Sequence, residues 1–463
     1  MTDQTGATTL YGYDDQGQLT SVTDPLSNVT MYAYDLDGNL TSVTDANGHA
    51  TTYEYDALER KTKRTLPLGQ FETFAYDLAG RQTEHAEFRS ANTNCGTDPA
   101  LCRKTTMTYD SRDRLLTKIP DPSRNEPTQS YIYSPTGTRT SMTDGSGTTS
   151  FTYDLRDRML TKAAAAGMLT YTYDSAGNIQ TIRSSNQDGS PRANATSVDY
   201  VWDAANQLLE VTDNRAGGTT TATYTPTGEP SLVAQPNSVG LTYSYDSLDR
   251  VASMLWRRGT AQEFGSWAYT HNGLGQRLTA TDVTGRNAAY GYDAAQRLAS
   301  ETITGDPRGV GFNGAVSYAL DGSGNRLSRT SSVASIASAT YSYDQNDQLA
   351  SDGYDSNGNT VSANGHTFAY DFENRLVSKD SGAVTLLYNC DGDRVAKTVG
   401  GSTTQYLVDD MNPTGYAQVL EEVVGGAVQT RYTYGTSLIS QVRNVPTAPT
   451  VSYYGYDAHG NIT

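Results

Sequence analysis

The sequence has no run of about eighteen apolar residues, so no segment reads as a membrane-spanning helix. Positive charge is in deficit: 34 Lys and Arg stand against 51 Asp and Glu, a formal net charge of −17. That balance excludes partners bound by phosphate neutralisation, nucleic acid above all, and argues against anionic membrane surfaces. Histidine is scarce. The five (His49, His85, His271, His366 and His459) lie far apart, with no catalytic or ligand residue type beside them in sequence. They read as solvated turn or strand residues. No G-x-S-x-G, H-E-x-x-H or phosphate-cradling glycine loop occurs. An enzyme is therefore not expected, and neither is a cofactor. The N-terminus, Met1-Thr-Asp-Gln-Thr-Gly, has neither a basic stretch nor an apolar h-region, so a secretory signal is not expected in this chain.

Cysteine is also rare. Cys95 and Cys102 share one polar insertion and Cys390 stands alone. The first two can close a small covalent ring, which would suit an oxidising compartment. The alternative is two unpaired loop thiols; zinc is disfavoured because no second Cys or His pair accompanies them. Low aliphatic content with a large net charge would suit a disordered chain. Tyrosine decides otherwise: there are 33 Tyr against 8 Phe, and the tyrosines fall in register.

The register is a heptapeptide. Tyr11-Gly-Tyr13-Asp14-Asp-Gln-Gly17 is followed by copies at Tyr34-Asp35 with Gly38, Tyr55-Asp56, and Tyr76-Asp77 with Gly80, each tyrosine 21 residues after the last. Others sit at Tyr109-Asp110, Tyr153-Asp154, Tyr173-Asp174 with Gly177, Trp202-Asp203, Tyr245-Asp246, Tyr292-Asp293, Tyr343-Asp344, Tyr370-Asp371, and Tyr456-Asp457 with Gly460. Weaker copies occupy Tyr133-Ser134, Tyr224-Thr225, His271-Asn272, Leu320-Asp321 and Tyr388-Asn389.

Each unit reads as strand, turn, strand, turn. Aromatics alternate with small or polar residues before the Asp, as in Tyr171-Thr-Tyr173, which is the strand period and puts both rings on one face. Asp at the first turn position and Gly at the fourth suit a type I turn with the Gly at positive φ. Where Gly is missing, Asp113, Asp157, Asn206, Asp249, Asp347 and Asn374 replace it, the residue types that best tolerate the left-handed region. Glu59 and Gln296 break that rule and are expected to mark distorted turns. A Leu, Ile or Met starts the return strand, and a second turn such as Thr44-Asp45-Ala-Asn-Gly48 closes the unit. The expected fold is all-β: tandem hairpins in one long spiralling sheet, since a lone hairpin is marginal and must bury its aromatic face against neighbours.

Acidic turns such as Asp35-Leu-Asp37-Gly38-Asn39 and Asp391-Gly392-Asp393 look superficially like calcium loops. They lack the twelve-residue ligand set and its terminal Glu, so they read as turn formers and no metal is expected. The tyrosine stripe reads as the packed side of the sheet, with a sugar-binding platform as the alternative. Each tyrosine hydroxyl needs a partner or water, which places those rings near a wet rim. Asn28-Val-Thr30, Asn39-Leu-Thr41 and Asn194-Ala-Thr196 match glycosylation acceptors, a chance outcome in a Thr- and Asn-rich chain.

The unit Y-x-Y-D-x-x-G-x-L…T-D-x-x-G closely resembles the YD repeat of the Rhs family, of insecticidal toxin-complex shells and of teneurins. The stretch Tyr406-Leu-Val-Asp-Asp-Met-Asn-Pro413-Thr-Gly415, with Tyr434-Gly435 and Tyr453-Tyr454-Gly-Tyr456-Asp457, resembles the approach to the bacterial Rhs core. The expected organisation is a repeat array over 1–403 and the start of a core-like segment over 404–463. The resemblance implies part of a hollow β-shell that sequesters a toxic C-terminal domain, in an exported, secreted or cell-surface protein. The expected partners are further N- and C-terminal regions of the same protein, including that cargo. An adhesion scaffold that binds a cell-surface protein or a glycan is the alternative. The family's autocleavage motif is absent from these residues, and both ends fall inside repeats, so a chain expressed alone is expected to self-associate.

Overall fold

The computed structural model describes residues 1–89, 103–215, 218–259, 262–445 and 447–456. Two compact units are present. One comprises Met1–Met107, Pro120–Asn125 and Ser266–Thr367; the other comprises Thr108–Ile119, Glu126–Gly265 and Phe368–Thr463. Cys95, Cys102, Asp457, Gly460 and His459 lie outside the described residues.

Among the described residues the fold is all-β, with short 3-10 turns and no α-helix. Each strand runs antiparallel to a sequence neighbour, and the described strands fall into two sheets, one from Leu10–Tyr13 to Ala339–Thr340 and one from Gly353–Tyr354 to Thr450–Tyr453. Leu10–Tyr13 pairs with Leu19–Thr23 across the turn at Asp14, and Leu19–Thr23 pairs with Val29–Tyr34 across the closing turn at Asp24. The register repeats from unit to unit: Tyr13 faces Leu19, Tyr34 faces Leu40, Tyr173 faces Ile179 and Tyr292 faces Leu298, each just after a bulge. The bulge gives the Asp turn the extra residue that the glycine position needs. One repeat departs from the pattern: at Asp344 the hairpin shrinks to an isolated bridge between Tyr343 and Leu349. The next turn, at Asp355, follows too soon for full strands to fit.

Alternation sorts the side chains. In Gly167–Tyr173, Leu169 and Tyr171 are buried while Thr170 and Thr172 are not. On the second face Thr172 and Thr181 share a hydrogen bond of 2.8 Å, and Thr152 with Thr161 one of 2.7 Å, cross-strand pairs of the kind that hold register. The larger core of the second unit joins Leu169, Tyr171, Ile182, Val198, Tyr200 and Val211 to Leu407, Leu420 and Tyr434. Burying each such side chain contributes about 1.5–3 kcal/mol. A smaller cluster joins Tyr131, Met142 and Phe151 to Cys390. Both cores combine stretches far apart in sequence.

Candidate functional site

The Asp turn is the repeated device. In the first copy the Asp14 N–H donates to the Gln18 carbonyl at 3.0 Å and the Gly17 N–H to the Asp14 carbonyl at 3.0 Å. Oδ1 of Asp14 accepts the N–H groups of Gln16 and Gln18. The same closure recurs at Asp35, Asp56, Asp77, Asp154, Asp174, Asp246, Asp293, Asp344 and Asp371, and in the weak copies at Ser134, Thr225, Asn272, Asp321 and Asn389. Gly17, Gly38, Gly80 and Gly177 have positive φ, as do Asp113, Asp157, Asn206, Asp249, Asp347 and Asn374. Glu59 and Gln296 correct the expectation of distorted turns. They adopt φ of 60° and 65° with hydrogen bonds of 3.0 and 2.9 Å, so the turn's bonds impose the left-handed backbone on a side chain that disfavours it.

The fourth residue after the Asp, which the sequence motif leaves unspecified, completes the turn. Asn39, Arg60, Arg81, Arg158, Arg250, Arg297 and Arg375 each donate to Oδ2 of the turn Asp. Asp35 and Asp56 are held below the usual carboxylate range first by these bonds, from Asn39 and from Arg60. The arginines also reach forward: Arg60 donates to the Asp77 carbonyl at 2.9 Å and its guanidinium lies 4.9 Å from the Tyr76 ring centre. Arg158 repeats this over Tyr173 at 4.6 Å. One arginine therefore links consecutive repeats.

Tyrosine links them backward. The hydroxyls of Tyr34, Tyr55, Tyr76, Tyr153, Tyr173, Tyr245, Tyr292 and Tyr343 donate to the carbonyls of Leu19, Leu40, Lys61, Arg139, Met159, Pro230, Arg277 and Arg326. Each acceptor opens, or immediately precedes, the previous repeat's return strand. Tyr456 does the same to Leu438 at 2.8 Å, and Trp202 uses its indole N–H on Ile179 at 2.8 Å. Tyr13, in the first copy, is exposed, and Tyr370 ends the strand His366–Tyr370. The earlier aromatic of each pair packs inward in the second unit, where Tyr131, Phe151, Tyr171 and Tyr200 are buried.

A second relationship is absent from the local motif. Within each unit, closing turns of an earlier stretch meet Asp turns of a later one. In the first unit, Gln296 donates to Asp3 at 2.7 Å, Asn47 to Asp321 at 3.0 Å and the Leu68 N–H to Asn346 at 3.2 Å. In the second, the Phe372 N–H donates to Glu126 at 3.0 Å and the Cys390 N–H to Asp144 at 2.6 Å. Lys118 pairs with Glu373 at 2.5 Å and Lys162 with Asp410 at 2.7 Å.

The second unit's seam holds its buried charge. Glu421, fully buried, accepts from Ser184, from Arg192 and from the N–H and hydroxyl of Thr196 at 2.6 and 2.8 Å. Asp409, equally buried, accepts from the Tyr171 hydroxyl at 2.7 Å and the Met411 N–H at 2.9 Å, all on Oδ1. Its Oδ2 is buried without a hydrogen-bond partner. Burial pushes the Asp409 carboxyl up to about 6, and burial likewise raises Asp410 against the pull of Lys162. Neither carboxylate stood out in sequence, because their partners lie more than 200 residues away.

Two histidines correct the sequence reading. His85 pairs with Glu72 at 2.7 Å and stacks on Phe74, and His49 lies 3.5 Å from Asp45. Asp347 joins His49 and Asp45 in one of two carboxylate-rich clusters among the described residues; Asp391, Asp393 and Asp410 form the other. In the latter, Arg139, Asn389 and Lys162 already bond the three carboxylates. Thiol chemistry is also remote at Cys390: burial pushes it up to about 12, so it stays a protonated packing residue. An apolar cavity of about 100 Å³ lies within the second unit among Val211, Leu241, Tyr243, Trp256, Ile439 and Tyr454.

The RHS Repeat family model matches residues 1–29 and 34–70. The tRNA3(Ser)-specific nuclease WapA of Bacillus spizizenii is 32% identical over 161 residues, covering 32% of this chain and 7% of that protein. The tRNA nuclease WapA of Bacillus subtilis is 28% identical over 275 residues, covering 57% of this chain and 11% of that protein. This chain thus spans a small part of the curated relatives it matches. Among solved structures, TcdB2-TccC3 without its hypervariable C-terminal region superposes with a TM-score of 0.65 at 16% identity, over 98% of this chain and 25% of that one. The Photorhabdus luminescens Tc holotoxin pore gives 0.60 at 15% identity, over 98% and 25%. These likenesses are of fold.

Proposed function

We propose that this chain, whose residues 1–29 and 34–70 match the RHS Repeat family model, is a length of β-shell wall whose cargo is a toxic C-terminal domain of the same protein. The observation that carries this reading is the seam. Each unit joins the closing turns of one stretch to the Asp turns of another, and in the second unit the join is buried, with Glu421 paired to Arg192 and Asp409 bonded to Tyr171. A wall needs such a join between successive courses of hairpins; a flexible display scaffold does not. On this reading the chain's own part is mechanical and non-catalytic. Residues 404–463 open the core-like segment, and the protein acts after export. No observation favours the adhesion or glycan-binding alternative. Because two relatives are named as tRNA nucleases, RNA cleavage is the first cargo activity to assay.

The test is limited proteolysis of the natural open reading frame that contains this chain, with its C-terminal domain tagged. The tagged domain should resist cleavage in the wild type and become sensitive when Glu421→Ala and Asp409→Ala open the seam. Equal cleavage rates in both proteins would overturn the reading.

A further inference from the structure

The apolar cavity of the second unit is lined by two residues whose hydrogen-bond donors are unspent. It holds about 100 Å³, is partly open to solvent, and lies where Leu208 and Val211 of the core meet Leu438 and Ile439. Trp256, in its wall, is 6% exposed, and the indole N–H is buried with no hydrogen-bond partner. Tyr243 lines the same wall, and its hydroxyl has no partner among the described residues. Burial pushes that hydroxyl up to about 12, so it keeps its proton and can donate. Leu241 faces Trp256 and Tyr243 faces Met254 across one strand pair. Tyr243 and Trp256 are therefore diagonal neighbours on one sheet face, close enough to serve one ligand atom.

The other tyrosines of the lining are committed elsewhere. Tyr224 donates to the Leu208 carbonyl at 2.8 Å, Tyr454 to Gln441 at 2.6 Å and Tyr456 to the Leu438 carbonyl at 2.8 Å. Gln235 donates to the Tyr454 carbonyl at 2.9 Å. Among the described residues of the lining, Glu210 alone is charged, and it is exposed. A charged ligand would lose its water here without gaining a counter-charge, which selects a neutral one. An unpaired buried donor and a space without atoms are both costly, and one molecule with an acceptor would relieve both. A cavity of roughly 150 Å³ admits benzene, so this smaller one with an open mouth suits a single ring.

We propose that this cavity binds a small neutral molecule the size of one six-membered ring, through an oxygen that accepts from the Trp256 indole N–H and the Tyr243 hydroxyl. The site goes beyond the wall role and needs no cargo.

Isothermal titration calorimetry on the whole chain tests the proposal, with acetophenone, ethylbenzene and benzoate as probes. Acetophenone should bind at one site per chain. Ethylbenzene, which lacks the oxygen, should bind roughly five- to tenfold more weakly, the ratio that one net hydrogen bond supplies. Benzoate should not bind. Trp256→Phe should bring acetophenone down to the affinity of ethylbenzene while ethylbenzene itself binds as before, which shows the cavity intact. Tyr243→Phe gives a second reading that does not depend on the indole, a fall confined to acetophenone. Failure of both neutral rings to bind the wild type, equal affinity for the two, benzoate binding as tight as acetophenone's, or an acetophenone preference that survives both substitutions would each overturn the proposal.

Discussion

The hydroxyl of Tyr171 donates to Oδ1 of Asp409 across 238 residues of sequence, and the other carboxylate oxygen has no partner. Burial favours the protonated acid and outweighs the opposing pull of the Tyr171 hydroxyl and the Met411 N–H, so the pKa of about 6 lies above its value in an unfolded chain. A raised folded-state pKa means the native state binds the extra proton, so the second unit should become more stable as pH falls from 7 through 6 towards 4. The gain from pH 7 to pH 5 should be about 1 kcal/mol. Asp409→Asn should remove most of it, leaving the smaller share that Asp410 contributes in the same direction, as read by denaturant midpoints at the two pH values. Below that window the turn aspartates Asp35 and Asp56 act in the opposite direction. Their depressed pKa values mean that stability is lost as pH falls through them.

Replacing a stapling tyrosine by phenylalanine keeps the ring and removes one hydroxyl. Tyr55→Phe or Tyr173→Phe should each cost about 0.5–1.5 kcal/mol, because the Leu40 or Met159 carbonyl loses its donor. Tyr13→Phe, at an exposed ring, should cost little by comparison. Urea titrations of the three variants give the ordering.

Glu59 occupies a glycine position with φ of 60°, exposed to solvent. Left-handed backbone costs a side chain about 1–2 kcal/mol, against about 0.5–1 kcal/mol for the added freedom of glycine in the unfolded chain. Glu59→Gly should therefore raise stability by up to about 1 kcal/mol, while Gly38→Ala, at φ of 91°, should lower it. Thermal midpoints that move in the reverse directions would show that these turns do not hold the left-handed conformation.

Glu421→Ala removes one partner of a buried ion pair and leaves the Arg192 guanidinium uncompensated. A loss of about 3–5 kcal/mol is expected. Glu421→Gln, which keeps an acceptor for Thr196, should lose less. Equal losses would mean that charge is irrelevant at that site.

The hairpins, their register and the glycine positions were legible in sequence because they depend on residues within one 21-residue unit. Alternation at Tyr171-Thr-Tyr173 and Asp-to-Gly spacing at Asp14 and Gly17 encode them directly. The arginine at the fourth position after Asp was legible in principle, recurring at Arg60, Arg81, Arg158 and Arg250, but it alternates with Asn and Gln and so resembled an open position. Glu59 and Gln296 misled because the local hydrogen bonds that close the turn, to backbone and to the Asp carboxylate, override one residue's preference. The seam was not legible. Its contacts join residues such as Lys162 and Asp410, 248 apart, and a repeat that looks alike everywhere carries no mark of which turn meets which. His49 and His85 were misjudged for a different reason: their carboxylates are close in sequence but not adjacent, and only the closed turn at Asp45 and the pairing of neighbouring strands bring them together.

The most direct test of the seam is zero-length carbodiimide coupling of the intact chain, followed by peptide mass spectrometry. Lys118 lies 2.5 Å from Glu373, with both side chains partly accessible, and no short stretch of sequence connects them. The account expects an amide cross-link between those two residues, lost on Glu373→Gln. Lys118 coupled only to carboxylates close to it in sequence, with Glu373 unmodified or linked elsewhere, would contradict it.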